Sequence, residues 1–292
     1  MVGPATYDIE HVTRYRYSSP VSGCVMSLCL EPRQDAGQRL LHVEIDTDPP
    51  APTNAEADSF GNTKHVLNIH REHRALAITA RATVEQTPAP PLPESLGASA
   101  WEEIGGWQDS FTLWDFVRPS ALTQPSPALS VFTARLGIEP ADDPLHSVQR
   151  LSNLLYRNLD YVPGSTSAIS PVDHILESGR GVCQDYAHAM IAIARSWGVP
   201  TRYVSGYLHL SDIEDGDAPA PQTASHAWAE CLLPELGWVG FDATNDRLAG
   251  LGHIRLAVGR DYRDVAPTSG IFRGGGESRI EVEVRVRPHR AG

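Results

Sequence analysis

The sequence predicts an α+β fold in which an N-terminal antiparallel β-sandwich precedes a core with a helical half and an antiparallel β-sheet or barrel. Apolar residues alternate along several short segments of the first 90 residues, which is typical of half-buried strands. From about residue 110 the apolar period becomes helical, and after residue 200 the alternation returns. A length of 292 residues is consistent with two domains of this kind.

The N-terminal domain is predicted over residues 1–90. Its clearest strand covers residues 6–17, where one face carries Tyr7, Ile9, His11, Thr13, Tyr15 and Tyr17. Further strands are predicted at residues 25–30, 40–46, 63–69 and 76–84, separated by turn sequences such as Phe60-Gly61-Asn62. The segment shows no site chemistry of its own, so we expect it to brace the core or to shape one wall of a cleft.

A linker is predicted over residues 91–110, because prolines crowd residues 86–93 and favour an extended chain. The catalytic core is then predicted over residues 111–292. Its helices are marked by Ser-Pro or Asp-Pro starts and by glycine ends. The predicted starts are Ser126-Pro127, Asp143-Pro144 and Ser170-Pro171.

The strands of the core are predicted at residues 203–208, 226–233, 238–242 and 254–258. A last strand, residues 280–286, alternates strictly. We expect it to close the sheet of the core, because Gly274-Gly275-Gly276 gives it only a short lead.

A cysteine lies at the start of a predicted buried helix. Gly179 and Gly181 precede Cys183, and an apolar run at helical spacing follows it as far as Gly198. The free backbone amides and the positive end of the helix dipole favour an anion at that place, and therefore the thiolate form of the cysteine. The glycines let the backbone bend and a substrate approach.

A histidine and an aspartate follow on two predicted strands. His226 begins the alternating run His226–Leu233, and Asp242 ends the run Trp238–Asp242. A lone cysteine before an apolar helix is usually a packed core residue, and so is a lone histidine on a strand. The combination in this order predicts a Cys183-His226-Asp242 triad, the arrangement of papain-like proteases with aspartate in the asparagine position.

These motifs resemble those of a known family. The strings GVCQDYAH, GVPTRYVSGYL, SHAWAE and FDATN are similar to the bacterial branch of the transglutaminase-like superfamily, and YDIEHVTRYRYSSPV is similar to the β-rich region that often precedes that core. The resemblance implies a papain-like fold with Cys183, His226 and Asp242 at the catalytic positions.

Other residues near the motifs are assigned supporting roles. The backbone amide of Cys183 is predicted to be one oxyanion donor, and Tyr161 is our choice for the second, with a packed aromatic side chain as the alternative. Gln184 is expected to reach the cleft and Trp228 to form part of its wall. Asp185 is expected to pair with Arg202 or to cap the helix, and His188 to be a satisfied core histidine. Thr244 and Asn245 are expected to fix the turn that presents Asp242.

Composition limits the classes of binding partner that we expect. The chain has 24 basic and 36 acidic residues, a formal charge of -12 and no basic cluster, so we expect neither nucleic acid nor a membrane as a partner. We expect no signal peptide and no transmembrane span. The four cysteines have neither metal nor disulfide spacing and the histidines form no ligand pair, which indicates a cytoplasmic protein without metal or cofactor. The oligomeric state stays open.

The predicted reaction is acyl transfer from a peptide or amide substrate through a thioester on Cys183, most simply completed by water. Transfer to an amine acceptor is an alternative within the enzyme class. A catalytically idle binding or assembly module on the same fold is the alternative outside it. The acidic, proline-rich segment 211–221 is either a solvated connector or a cleft rim that favours basic or neutral substrates.

Overall fold

A computed structural model describes residues 3–35, 37–209 and 225–289. In these residues an N-terminal β region is followed by a helical half and a second sheet, in the predicted order. The N-terminal region contains the strands β1 (Ala5–Leu28), β2 (Gln38–Asp48), β3 (Thr53–Ala57), β4 (Thr63–Ile69) and β5 (His73–Gln86).

Strand β1 is long enough to take part in two layers. Its first half pairs with β5, which pairs in turn with β2, whereas its second half pairs with β4, which pairs with β3. The pairing with β5 shifts register between Arg16 and Val21, where β1 passes from one layer to the other. Side chains of both halves share one hydrophobic cluster, which includes Tyr15, Leu28, Leu67 and Ile78. The predicted β-sandwich is therefore confirmed.

The C-terminal strands complete this sandwich and not the core. Strands β13 (Thr268–Arg273) and β14 (Ser278–Pro288) pair with the second and first halves of β1, respectively. The expectation that the last strand closes the sheet of the core is wrong. A strictly alternating strand suits any open sheet edge, and β1 offers one along which eleven residue pairs form, from Tyr7 opposite Pro288 to Tyr17 opposite Ser278.

The helical half packs against one face of a second sheet. Its helices are α1 (Ala100–Gly106), α2 (Trp114–Val117), α3 (Pro127–Leu136), α4 (Pro144–Asn158), α5 (Val172–Ser178), α6 (Cys183–Ser196) and α7 (Tyr262–Val265). Ser126 and Asp143 cap α3 and α4 with their side chains, as their Ser-Pro and Asp-Pro signals predict. The predicted linker, residues 91–110, contains α1, whose Ile104 is buried in the same cluster as α6. The domain boundaries stay a prediction.

The second sheet carries the predicted core strands. It is antiparallel and runs in the order β11 (Arg247–Leu248), β10 (Gly237–Asp242), β9 (Ser225–Leu233), β8 (Thr201–Leu208), β12 (His253–Gly259). A short parallel pair, β6 (Asp160–Tyr161) and β7 (Arg180–Gly181), joins the chain before α5 to the residues before α6.

Buried amide side chains of the sandwich cover the edge strand β12. Gln38 donates to the carbonyl of Arg255 and accepts from its N–H, both at 2.8 Å, and Asn62 forms the same pair of bonds with Val258. Gln86 donates to the carbonyl of His253 at 3.2 Å. The amides therefore satisfy backbone groups that an edge strand otherwise leaves to solvent. None of the described helices is both long and apolar enough to cross a lipid bilayer.

Candidate active site

Cys183 is the first residue of α6, a helix of 14 residues. The preceding residue, Val182, is extended, and its N–H donates to the Asp185 carboxylate at 2.8 Å, so that this carboxylate caps the helix start. Gly181 is needed for packing, because a Cβ there would lie 2.6 Å from Ile175 Cδ1. Gly179 has a left-handed φ of 70° and ends α5. The glycines therefore bring α5 close and turn the chain into α6.

Asp185 does not pair with Arg202, which was one of its two predicted roles. Thr166 donates to the Asp185 carboxylate at 2.5 Å, and this carboxylate is buried. Arg202 instead bonds to the buried carboxylate of Glu230 on the neighbouring strand. Helix capping, the other predicted role, is what the geometry shows.

His226 and Asp242 lie on adjacent strands and face each other. His226 Nε2 lies 2.8 Å from Asp242 Oδ2, and the Asp242 side chain is fully buried. Cys183 lies in the same cleft, within hydrogen-bonding reach of His226. Because Nε2 is engaged by Asp242, the nitrogen available to the sulfur is Nδ1. The three residues predicted from sequence are therefore in contact as a series from sulfur to imidazole to carboxylate.

The electrostatics of this series favour a protonated imidazole. Burial lowers the pKa of His226, but the Asp242 carboxylate and the bonds to Asp242 and Cys183 outweigh it and raise the pKa to about 10. Burial likewise raises the pKa of Asp242, but the positive His226 and the bonds from both histidines hold it well below its usual range. At neutral pH the pair is an imidazolium beside a carboxylate.

A second histidine, which sequence reasoning missed, also bonds to Asp242. His253 begins β12, is 5% exposed and has its Nε2 at 3.1 Å from Asp242 Oδ2. Its Nδ1 accepts from the N–H of Gly250 at 3.1 Å, so Nε2 carries the proton and donates. Burial lowers the pKa of His253, which is consistent with a neutral ring. No local pattern marks this histidine, because only the fold brings it to Asp242.

The residues after Asp242 bond to the carboxylate itself. Asn245 donates to Asp242 Oδ2 at 2.7 Å, and the N–H of Thr244 donates to Oδ1 at 3.1 Å. Asp242 thus accepts from four donors, counting both histidines. A carboxylate with this many donors is held in one orientation.

The group formed by His226, Asp242 and His253 also has the residue types of a metal site, with ligand atoms within 4.8 Å of one another. However, these atoms bond to each other at 2.8 and 3.1 Å, and the proton on His253 Nε2 occupies the nitrogen that a metal needs. The donor set as arranged fits a hydrogen-bonded network better than a metal ion.

Tyr161 and Gln184 lie near the nucleophile. β6 pairs with β7 so that Tyr161 lies opposite Gly181, and Tyr161 is 53% exposed. Burial, followed by the charge of Cys183, raises the pKa of Tyr161. Gln184 lines the cleft and donates to the carbonyl of Ser167 at 2.7 Å. Their role as oxyanion donors stays a prediction.

Trp228 lies behind His226 and not in the cleft wall where we expected it. Its side chain is 1% exposed and stacks on His226 with ring centroids 6.2 Å apart, while the edge of His253 meets it at 5.2 Å. Residues two apart on a strand share a face, so Trp228 packs beside His226 and leaves the cleft to it. Gly206 makes room, because a Cβ there would lie 2.5 Å from the Trp228 ring.

His188 is buried, as predicted, but its ring is only half satisfied. Nε2 accepts from the N–H of Tyr262 at 3.2 Å, and Nδ1 has no partner within the described parts of the chain. Burial lowers the pKa of His188 to about 4, so the ring is neutral.

Cys183 differs from the other three cysteines in its access to solvent. It is partly exposed, whereas Cys24, Cys29 and Cys231 are buried, and all four are unpaired thiols. Burial raises the pKa of Cys29 to about 11 and that of Cys231 to about 12. Thiols of this kind are poor nucleophiles near neutral pH.

Cys183 and His226 lie in a cleft of about 320 Å³ between the sandwich and the core. One wall comes from α6, β8 and β9. The opposite wall comes from β1, β13 and β14. The acidic segment 211–221 lies outside the described residues, so its predicted role at the cleft rim stays a prediction.

With this fold and site, the chain belongs to the transglutaminase-like superfamily. The model of the transglutaminase-like superfamily matches residues 133–243, and that of the bacterial transglutaminase-like N-terminal region matches residues 7–85. The predicted family and papain-like core are thereby confirmed.

Two mycobacterial proteins are similar over nearly their whole length. ML0607 of Mycobacterium leprae is 31% identical over 281 residues, which cover 95% of this chain and 97% of that protein. Rv2569c of Mycobacterium tuberculosis is 32% identical over 307 aligned positions, which cover 98% of this chain and 94% of that protein.

A third relative matches a shorter region. A protein-glutamine gamma-glutamyltransferase of Pseudomonas aeruginosa is 35% identical over 83 residues, which are 28% of this chain and 12% of that protein. Among solved structures, a candidate cysteine protease from Cytophaga hutchinsonii covers 100% of this chain and 93% of its own, with a TM-score of 0.75 and 21% identity. This last likeness concerns the fold.

Proposed function

We propose that the protein is a cysteine-dependent acyl transferase that hydrolyses a peptide or amide substrate. The observation that carries the proposal is the hydrogen-bonded series Cys183–His226–Asp242, with the sulfur at a helix start and inside an open cleft. An imidazolium and a helix N-terminus both stabilise a thiolate, and a carboxylate stabilises the imidazolium.

In the proposed reaction the Cys183 thiolate attacks the carbonyl carbon, and the Cys183 N–H, with Tyr161 or Gln184, stabilises the oxyanion. His226 Nδ1 gives its proton to the leaving amine as the C–N bond breaks, which leaves a thioester and a neutral imidazole. The imidazole then takes a proton from water as the water oxygen attacks the thioester. Release of the acid restores the thiolate and the imidazolium. No step needs a metal or cofactor.

Transfer of the acyl group to an amine is the alternative that a specific observation favours, namely the similarity of 83 residues to a protein-glutamine gamma-glutamyltransferase. Hydrolysis is preferred because it needs only water, which an open cleft admits, whereas an amine acceptor needs a second walled channel beside Cys183. A binding module without activity is disfavoured by the proximity of Cys183, His226 and Asp242 in one cleft. Four unpaired thiols are compatible with the predicted reducing, cytoplasmic compartment.

A substrate screen tests the proposal. Peptides and simple amides are incubated with the wild-type protein and with Cys183→Ala, in the presence and absence of excess lysine-like amine, and the product masses are measured. We expect free acid from the wild type and no turnover from Cys183→Ala. A product that is mostly amine adduct would show that the reaction is transamidation and not hydrolysis. Equal turnover by the two proteins would exclude the cysteine mechanism.

A further inference from the structure

The cleft wall opposite the nucleophile is built by both ends of the chain. It includes Thr13 of β1, Thr268 of β13, and Ile280 and Val282 of β14. The antiparallel register fixes this wall, because Val282 lies opposite Thr13 and Ile280 lies opposite Tyr15. The position of β14 in the sandwich, which the sequence did not predict, therefore brings two aliphatic side chains to the site.

The cleft carries no fixed charge on its described lining. None of the lining residues that the structure describes is Asp, Glu, Lys or Arg. His11 lines the cleft with both ring nitrogens in hydrogen bonds, to Tyr207 and Thr13, and burial lowers its pKa to about 4. Apart from the pair Cys183 and His226, these walls are neutral at pH 7. A charged group that enters loses water and finds no counter-charge on them.

Ile280 and Val282 present apolar surface to the cleft. Ile280 is 53% exposed and Val282 is 44% exposed, although both line the concave cleft that contains the nucleophile. Most of their neighbours on β14 are charged, since the strand alternates Ile280, Glu281, Val282, Glu283. The apolar face of β14 is thus turned to the cleft, and covering it with an aliphatic group removes apolar surface from water.

We propose that this wall is an acyl-donor subsite that takes an uncharged aliphatic side chain next to the scissile carbonyl, with Ile280 and Val282 as its specificity-determining residues. The proposal rests on the proposed function of Cys183 as the nucleophile. It assigns the sandwich and the C-terminal strand a direct part in substrate selection.

The test uses N-acetylaminoacyl chloromethyl ketones that carry leucine, glutamate or lysine, with each labelling rate at Cys183 divided by the rate of the same probe with glutathione. In the wild type we expect the leucine probe to exceed both charged probes by about tenfold or more. Val282→Asp is expected to abolish the leucine preference and to make the lysine probe the fastest. Ile271→Asp is the matched control, because Ile271 on β13 is 74% exposed and does not line the cleft.

The possible outcomes separate the subsite from the nucleophile. Equal normalised rates for the three probes in the wild type would overturn the subsite and leave the proposed function intact. A leucine preference that survives both Val282→Asp and Ile280→Asp would overturn the assignment to β14. Failure of every probe and of iodoacetamide to label Cys183 would overturn the proposed function and the subsite with it. Thermal unfolding of each variant confirms that the exposed substitutions leave the fold intact.

A separate observation concerns His253. Its protonated Nε2 donates to Asp242, its Nδ1 is fixed by Gly250, and its carbonyl accepts from Gln86 of the sandwich. We infer that His253 is a positioning residue, which holds the Asp242 carboxylate against His226 and ties it to the sandwich. Without this donor, Asp242 keeps three of its four hydrogen bonds but loses the one that ties it to β12, and we expect its interaction with His226 to weaken.

The titration of His226, followed by the NMR signal of its Cε1 proton, tests this role. His253→Leu removes the donor, whereas His253→Gln keeps an N–H donor of similar reach. We expect the pKa of His226 to fall in His253→Leu and to return toward the wild-type value in His253→Gln. A merely structural role would destabilise the protein without moving this titration. An unchanged His226 titration in a folded His253→Leu protein would overturn the inference, and an equal fall in both variants would overturn it as well.

Discussion

Two carboxylates in the core sheet, Asp242 and Glu230, are both fully buried. They differ in whether their hydrogen-bond donors are permanently charged. Glu230 is bonded by Arg202 at 2.7 Å and by Arg255 at 2.6 Å, two side chains that remain charged. Asp242 is bonded by two histidines, an amide and a backbone N–H. The charge of Glu230 is thus matched by two permanent cations, whereas the charge of Asp242 is available to a partner that gains and loses a proton.

The difference separates a structural carboxylate from the one that we propose to be catalytic. Burial raises the pKa of Glu230, but its two arginines outweigh burial and lower it. The pKa of Asp242 is low chiefly because His226 is protonated, and so it depends on the state of His226. Depth of burial does not tell the two apart, but the chemistry of their donors does.

The largest expected effect is on the catalytic side of this comparison. His226→Ala removes the proton carrier and should lower turnover by roughly 10² to 10⁴-fold. Asp242→Asn should be milder, because an amide oxygen still orients an imidazole but lacks the charge that stabilises its cation. Initial rates with a substrate from the screen measure both. Equal losses in two folded proteins would contradict the roles assigned to His226 and Asp242.

A large effect on stability is expected on the structural side. Glu230→Gln leaves Arg202 without its carboxylate partner and Arg255 with Asp35 at 3.6 Å, and breaking a buried pair in this way costs about 3–5 kcal/mol. The free energy of unfolding in urea should fall more for Glu230→Gln than for Asp242→Asn. The turnover rate per folded molecule should instead fall more for Asp242→Asn than for Glu230→Gln. A Glu230→Gln protein of wild-type stability would remove the distinction.

A moderate effect is expected from pH. Because Asp242 and, to a smaller extent, Cys183 raise the pKa of His226 from 6.5 to about 10, the stability from these interactions is fully present below pH 6.5 and is lost as the pH rises through about 10. The lowered pKa of Glu230 keeps its titration below pH 4.5, outside that window. The free energy of unfolding should therefore be measured at pH 6.5, 8 and 10. We expect the excess stability of the wild type over His226→Ala to decrease across this range. An excess stability that does not change with pH would contradict the raised pKa of His226.

The smallest expected effect is that of chelators. The atoms of His226, Asp242 and His253 that would bind a metal are engaged with one another. Activity after dialysis against EDTA should equal that of the untreated protein. A loss that zinc or another divalent ion restores would contradict the hydrogen-bonded interpretation of this group.

The sequence predicted the site where its signals were local. Cys183 follows glycines and precedes an apolar helical run, while His226 and Asp242 lie on two alternating segments that form adjacent strands. His253 could not be predicted, since a lone histidine at the start of a strand has no periodic signature and meets Asp242 only in the folded sheet. Trp228 was predicted on the correct strand, but it is buried and does not line the cleft as expected. The alternation of a strand indicates which face a side chain is on, and it does not indicate how exposed that face is.

The same limit applies to long-range pairing. The alternation of β14 predicts a strand, but it does not specify which open edge the strand joins, and β1 proved to be its partner. The pairing of Asp185 with Arg202, one of the two roles predicted for Asp185, failed for the same reason, because the strand register places Arg202 opposite Glu230.

The most direct test of the central claim, that His226 activates Cys183, is the rate of alkylation of each cysteine in the native protein by iodoacetamide near pH 7. Peptide masses report Cys24, Cys29, Cys183 and Cys231 separately. We predict that Cys183 reacts first by a wide margin, since the other three thiols are buried, and that His226→Ala slows it. Cys183 reacting most slowly of the four, or at a rate that His226→Ala leaves unchanged, would contradict the account.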